Sequence, residues 1–212
     1  MPGQQLSLVG VNRREPQGNR GRVWQDILDR THGWYTAQGW GKVYPIRNAW
    51  GFAPAWLWKR QPAECRARTA EGGLLMRMKS APDYVGSVGS WAVQFDAKEF
   101  AGASISYENF SEDQIKDLND SFAGGNCYSG FMVLEKRTMN VYWLQADYVY
   151  DWHMRIKRAE PGVVKSINFS KLDSSSPAGS HYVKLLGHCD GYRFHYAPTL
   201  IPGFVERSSR AA

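Results

Sequence analysis

Cysteine and long apolar runs are both scarce in this chain of 212 residues. Its three cysteines, Cys65, Cys127 and Cys189, are odd in number and widely spaced, which excludes a disulfide framework and favours a reducing compartment. No apolar stretch approaches the ~20 residues needed to cross a bilayer. The polar N-terminus also lacks the apolar core of a secretion signal. These absences predict an intracellular protein, in the cytoplasm or inside an organelle, that is not secreted and has no transmembrane segment.

The sequence also lacks the spacing of familiar metal sites. One C-terminal hairpin could bring together five potential ligands: His181, His188, Cys189, Asp190 and His195. Their spacing matches no zinc pattern, and adjacent residues on a strand point to opposite faces. We therefore expect surface residues of a hairpin here, with no metal and no cofactor.

Signatures of nucleophilic or acid–base catalysis are equally absent. The residues around Cys127 match no cysteine-hydrolase motif, so a buried small hydrophobe is the expected role of this thiol. Asp147, Asp151 and His153 lie close together in sequence, and on a strand Asp151 and His153 would share a face suited to acid–base chemistry. An ion pair at the rim of a hairpin explains the same residues, so the sequence predicts no catalytic residue, although an enzyme is not excluded.

Tryptophan is abundant in one segment. Six of the nine tryptophans lie between Trp24 and Trp58, among glycines, prolines and arginines. Interface cores are enriched in tryptophan, tyrosine and arginine. The segment predicts an interface made of Trp24, Trp34, Trp40, Trp50, Trp56, Trp58, Arg47 and Arg60.

Short apolar runs separated by glycine and proline predict a mainly β fold. We expect an antiparallel barrel or sandwich of about ten short strands with two short helices. The first helix begins near Trp24 and ends near Gly33, and the second begins at Ser111, which forms a capping box with Gln114. Among the predicted strands are 34–36, 91–95 and 150–158, and 82–89 is predicted to be a loop. The chain divides into an extended basic arm (1–21), a single β-rich domain (22–198) and a C-terminal tail (199–212).

Three short segments resemble lipocalin-like (calycin) proteins. Gly33-Trp34-Tyr35 follows a brief helix and resembles the opening of the barrel, where a tryptophan closes the floor beneath a late arginine; Arg155 or Arg193 would take that position. The segment 119–125 is similar to part of the lipocalin domain of violaxanthin de-epoxidases, and 39–45 is similar to the opening of nitrobindins. The resemblance implies a closed β-barrel and no particular functional residue.

Together these features predict a non-catalytic accessory subunit. It would dock into a larger intracellular protein assembly through its Trp-rich face and its termini. One alternative is a lipocalin-like carrier of a small apolar ligand or pigment. Another is a nucleic-acid-binding or capsid-like protein, in which rings stack on bases and arginines contact phosphates; the formal charge of +6 is compatible with it.

Overall fold

A computed structural model of the chain describes residues 22–46, 50–52, 55, 59, 66–68, 72–77, 82–125, 127–169 and 183–206. The predicted arm (1–21) and residues 207–212 of the predicted tail lie outside these ranges, so the division into arm, domain and tail stays a prediction. No helix in the described ranges is both long enough and apolar enough to cross a membrane.

The helices are α1 (Arg22–Ala37), α2 (Glu112–Ala123), α3 (Ala146–Lys157) and α4 (Ala197–Leu200), and a 3-10 turn spans Tyr107–Asn109. The strands are β1 (Gly41–Pro45), β2 (Trp50–Phe52), β3 (Arg66–Arg68), β4 (Leu74–Arg77), β5 (Tyr84–Val88), β6 (Trp91–Phe100), β7 (Ser104–Ser106), β8 (Cys127–Glu135), β9 (Asn140–Gln145), β10 (Ser166–Asn168) and β11 (Val183–His188).

Six strands form one open sheet in the order β1-β5-β6-β8-β9-β11. Neighbours pair antiparallel except β6 and β8, which run parallel from Ala92 opposite Cys127 to Phe100 opposite Glu135. Parallel neighbours need a crossover, and α2 lies in the connection between them. The remaining strands form a small sheet β2-β4-β3, inserted between β1 and β5, and the pair β10-β7. The prediction of an antiparallel barrel or sandwich is wrong, because the sheet is mixed and β1 and β11 are left as its two edges.

Each face of the main sheet buries its own apolar cluster. On one face, α1 and the C-terminal segment cover a cluster that includes Trp24, Phe95 and Trp143. On the other face, α2 and α3 cover a cluster that includes Ile115 and Phe131. Because side chains alternate along a strand, β6 and β8 supply residues to both clusters, and β8 is buried along most of its length.

Helix α2 is the element that the sequence predicted best. Ser111 caps it and Gln114 completes the capping box, as predicted. The other helices are longer than predicted. α1 continues past Gly33 to Ala37 and includes the expected strand 34–36, and α3 occupies most of the expected strand 150–158. In α3 the buried residues Ala146, Val149 and Trp152 recur every three residues, a helical period that the aromatic and β-branched composition obscured.

Candidate active site

Two acidic residues and a lysine meet where β5 begins and β6 crosses the middle of the sheet. Tyr84 pairs with Phe95, so the same antiparallel register places Asp83, the residue before β5, opposite Asp96. Asp96 and Lys98 are two residues apart on β6 and therefore share a face. The Asp83 carboxylate (Oδ2) accepts a hydrogen bond of 3.0 Å from the backbone N–H of Ala97, between them.

The local sequence fixes which side chains enter this site. Tyr84 and Phe95 stack with ring centroids 5.1 Å apart in the cluster beneath α1. Their burial on that face turns the alternate residues, Asp96 and Lys98, toward α2 on the opposite face. The paired aromatic residues thus hold the register that aligns the polar ones.

Asp96 is fully buried, and its environment shifts its titration. Lys98 Nζ lies 2.6 Å from Asp96 Oδ2, and the exposed fractions of the two side chains are 18% and 0%. Burial raises the pKa of Asp96 to about 7; the Lys98 ammonium counteracts that rise, and the Asp83 carboxylate adds to it. The two carboxyl groups and the ammonium therefore form one electrostatic unit.

Gln114 completes the site from the first turn of α2. Its amide N–H (Nε2) donates a hydrogen bond of 2.5 Å to Asp96 Oδ1, and its carbonyl (Oε1) accepts one of 3.1 Å from Lys98 Nζ. Asp96 Oδ2 accepts no hydrogen bond from an amide or hydroxyl group among the described residues and is instead paired with the Lys98 ammonium. One oxygen of this buried carboxylate is thus held by an amide, and the other is paired with an ammonium.

The donor set of this site suits a hard divalent cation. Mg²⁺ prefers oxygen ligands and is commonly held by one or two carboxylates together with substrate phosphates. Asp83 and Asp96 provide two such carboxylates, and the buried Asp96 Oδ2 already pairs with a positive charge, the Lys98 ammonium, so its position suits a cation. Within the described ranges there is no cluster of three or more histidine, cysteine or acidic residues with metal-binding geometry. The pair therefore fits a cation that completes its coordination with water and, when a substrate is bound, with phosphate oxygens.

Of the predicted interface residues, Trp24, Trp34 and Trp40 have described side chains, and these pack in the core rather than at this site. Trp24 and Trp40 are buried, with 1% and 9% of their surface exposed, and Trp34 is partly buried against the same cluster. Trp24 donates a hydrogen bond from Nε1 to the carbonyl of Met132. Trp50 lies in β2, where only its backbone is described. Trp56, Trp58, Arg47 and Arg60 lie outside the described residues, so the interface as a set stays a prediction.

The C-terminal cluster of potential ligands has separate structural roles. The Asp190 carboxylate accepts hydrogen bonds from the backbone N–H groups of Tyr192 and Arg193 and so closes a turn. His195 shares hydrogen bonds with the Tyr35 hydroxyl and with Glu206. Cys189 is buried, and His181 lies outside the described residues.

The other two candidate sets are not arranged for catalysis. Burial raises the pKa of Cys127, which disfavours the reactive thiolate. Asp151 and His153 lie on helix α3, where residues two apart do not share a face, so the arrangement expected for a strand is wrong. His153 Nδ1 lies 2.5 Å from the Tyr107 hydroxyl.

Sequence reasoning missed Asp83, Asp96, Lys98 and Gln114 as a site. The sequence predicts a loop over 82–89 and a strand that ends at Phe95, one residue before Asp96. Both predictions are wrong here, because β5 occupies Tyr84–Val88 and β6 continues to Phe100. The signal that could have revealed it is Asp96-Ala97-Lys98, an opposite-charge pair that directly follows the alternating strand 91–95. A charged pair in a buried strand is costly and is found where it serves a purpose.

The fold and site together define an α/β domain with a carboxylate–lysine centre on its main sheet. Residues 19–188 match the family described as RecU, recombination protein U, and the chain belongs to this family. The resemblance to lipocalin-like proteins is therefore wrong, and so are the predicted accessory-subunit function and the alternative of a ligand carrier. Of the three functions considered, nucleic-acid binding agrees best with a recombination family.

One solved structure similar to the chain is that of Hjc, a Holliday junction resolvase from the archaeal hyperthermophile Archaeoglobus fulgidus. It is 13% identical, the match covers 70% of this chain and 88% of that one, and the TM-score is 0.39. No curated protein matches the sequence.

Proposed function

We propose that the protein is a divalent-metal-dependent endonuclease that cleaves DNA at Holliday junctions. Two findings support this proposal. The chain belongs to a recombination family, and recombination passes through branched DNA intermediates. The chain also has the site formed by Asp83, Asp96 and Lys98. The observation that carries the chemistry is the buried Asp96 carboxylate, held between Lys98 and Gln114.

Each residue of the site has a role in hydrolysing a phosphodiester. Asp83 and Asp96 would hold a divalent cation, which when bound polarises the scissile phosphate as a Lewis acid. Lys98 neutralises Asp96 in the structure, and its four-carbon stem lets the ammonium turn toward a phosphate oxygen of the substrate. There the ammonium stabilises the negative charge that develops on the phosphate during cleavage.

The small sheet β2-β4-β3 is the proposed contact with the DNA backbone. It is inserted in the sequence between Pro45, the last residue of β1, and Asp83, so the site residue Asp83 follows this sheet closely in the sequence. Arg66 and Arg68 are alternate residues of β3 and share a face, and Arg68 is exposed. Guanidinium groups pair well with phosphate oxygens, and the net charge of +6 favours a polyanionic partner.

A cleavage assay with matched DNA substrates tests which form of DNA the protein cleaves. Synthetic four-way junctions, linear duplexes of the same arm sequence and single strands are incubated with the protein and Mg²⁺, and the products are resolved on a denaturing gel. We expect cuts at the branch point of the junction and little cleavage of the other two substrates. Equal cleavage of all three would contradict junction selectivity, and no cleavage with either Mg²⁺ or Mn²⁺ would contradict the nuclease itself.

A further inference from the structure

Gln114 bridges the two charged residues of the site with opposite ends of one amide. Nε2 donates to Asp96 Oδ1 at 2.5 Å, while Oε1 accepts from Lys98 Nζ at 3.1 Å. Oε1 also lies 3.5 Å from the backbone N–H of Ser111, the residue that caps α2. One side chain thus joins the start of the helix to both charged groups.

The orientation of this amide is fixed by the chemistry of its partners. A lysine ammonium and a backbone N–H can only donate hydrogen bonds, so both require the carbonyl oxygen of Gln114. A carboxylate oxygen without a proton can only accept, so Asp96 requires the NH₂ group. The reverse orientation would leave all three partners facing a group of the wrong type.

The helix holds Gln114 firmly in this position. Gln114 is the third residue of α2, and its backbone N–H donates to Ser111 Oγ. The next turn is anchored by the buried side chains of Ile115 and Leu118, and the Leu118 carbonyl accepts a hydrogen bond of 2.6 Å from Ser129 Oγ on β8. The amide is therefore tied to the central sheet through its helix.

We propose that Gln114 is a positioning residue of the metal site. By donating to Asp96 Oδ1 it leaves Oδ2 for the metal ion, and by accepting from Lys98 it holds the ammonium within the site when Oδ2 binds that ion. This inference rests on the proposed function, since it concerns the same site. Groups that orient metal-binding side chains typically change metal affinity or activity by about 10–100-fold when they are removed.

A role in capping the helix would also place glutamine at this position, and variants can separate the two roles. Gln114→Met keeps the length of the side chain and the backbone bond to Ser111, but it removes the donor to Asp96 and the acceptor for Lys98. Gln114→Glu keeps the capping box but replaces the donor with a second acceptor beside Asp96. Asp113→Asn, at an exposed neighbouring position, alters the charge of the same helix turn and serves as the matched control.

Two readouts test the proposal. The first is Mn²⁺ binding in the absence of DNA, measured from the electron paramagnetic resonance signal of the free ion. The second is junction cleavage at saturating Mn²⁺. For Gln114→Met we expect a dissociation constant for Mn²⁺ raised about tenfold and cleavage lowered at least about tenfold. For Gln114→Glu we expect lower cleavage with helix α2 retained. Asp113→Asn should match the unmodified protein in both readouts.

The outcomes distinguish this inference from the proposed function. If the unmodified protein binds Mn²⁺ and cleaves junctions, but Gln114→Met does both equally well, the positioning role is wrong and the nuclease stands. If the unmodified protein neither binds Mn²⁺ nor cleaves, both the nuclease and the positioning role are wrong. Circular dichroism of each variant shows whether α2 is retained, so that a folding defect is not mistaken for a loss of positioning.

Discussion

The Asp83 carboxylate accepts a hydrogen bond of 3.0 Å from the backbone N–H of Ala97, the residue between Asp96 and Lys98. This bond ties the residue that precedes β5 to the strand that carries the rest of the site. Because it uses a backbone donor, it is independent of the side chain at position 97. The two carboxylates are therefore brought together by the register of the sheet rather than by proximity in sequence.

The first prediction concerns the stability cost of Asp96. Its pKa is about 7 in the folded protein and 3.8 ordinarily, so the unfolded chain loses this proton at lower pH than the folded one. The ionisation of Asp96 therefore leaves the free energy of unfolding unchanged below pH 3.8. It lowers this free energy progressively as the pH rises from 3.8 to 7, and the loss stays constant above pH 7. At pH 8 without metal, Asp96→Asn should be more stable than the unmodified protein by up to about 4 kcal/mol.

Urea unfolding at pH 8, in the presence of a chelator, measures this difference. Asp151→Asn removes an exposed carboxylate from α3 and should leave stability nearly unchanged. A destabilised Asp96→Asn variant would show that the carboxylate stabilises the fold, contrary to the burial argument.

The second prediction concerns a buried histidine. His32 is 3% exposed, its Nε2 shares a hydrogen bond with the Tyr196 hydroxyl, and its Nδ1 has no partner in the described ranges. Burial lowers the pKa of His32 from 6.5 to about 3, so between these values the unfolded chain binds a proton that the folded protein does not. Lowering the pH from 7 to 5 should therefore reduce the free energy of unfolding by about 2 kcal/mol through this histidine.

Comparison with His32→Phe isolates this effect. Asp96 shifts stability in the opposite direction over the same interval, so the informative quantity is the difference between the variant and the unmodified protein. Urea midpoints at pH 7 and pH 5 should show that His32→Phe loses less stability on acidification. Equal losses in both proteins would mean that His32 is not the group that responds to acid.

The third prediction contrasts two glycines. A Cβ at Gly130, in the central strand β8, would lie 2.3 Å from the Leu144 carbonyl oxygen and 2.8 Å from the Trp143 ring. Gly130→Ala should therefore destabilise the protein by about 1–3 kcal/mol. Gly33 lies in α1 with nothing within 4 Å of such an atom, so Gly33→Ala should stabilise by about 0.5–1 kcal/mol. Thermal denaturation of the two variants should shift in opposite directions, and a shared direction would contradict this packing.

The fourth prediction concerns DNA binding by β3. Arg68→Ala should weaken junction binding and reduce the slope of log affinity against log salt by about 1, because one phosphate contact is lost. Arg158→Ala, at an exposed arginine after α3, is the control and should leave the slope unchanged. Fluorescence anisotropy with labelled junctions across a salt series gives both slopes, and the same slope for all three proteins would exclude Arg68 from the DNA contact.

Local signals in the sequence predicted local structure. The capping box of Ser111 and Gln114 predicted the start of α2, and the alternation of 91–95 predicted part of β6. Aromatic and β-branched residues misled the prediction for α3, because tertiary packing outweighs their preference for strands. The excess of tryptophan near the N-terminus is partly explained by the core, since Trp24 of α1 and Trp40, which follows that helix, are both buried.

The candidate active site could not be predicted from local signals in the sequence. Asp83 and Asp96 are thirteen positions apart in the chain and meet only through the register of β5 and β6. Gln114 arrives from the helix that crosses between the parallel strands β6 and β8. A sequence shows such residues only as separate polar positions until the pairing of the strands is known.

The measurement that tests the central claim most directly is metal-dependent cleavage of a four-way junction by the unmodified protein, Asp96→Asn and Lys98→Ala. Lys116→Ala, at an exposed lysine on α2, is the matched control for the lysine variant. We predict Mg²⁺-dependent cuts at the branch point by the unmodified protein and the control, and a loss of at least about 100-fold in both site variants, with junction binding retained. Cleavage by Asp96→Asn and Lys98→Ala at the unmodified rate would contradict the assignment of this site.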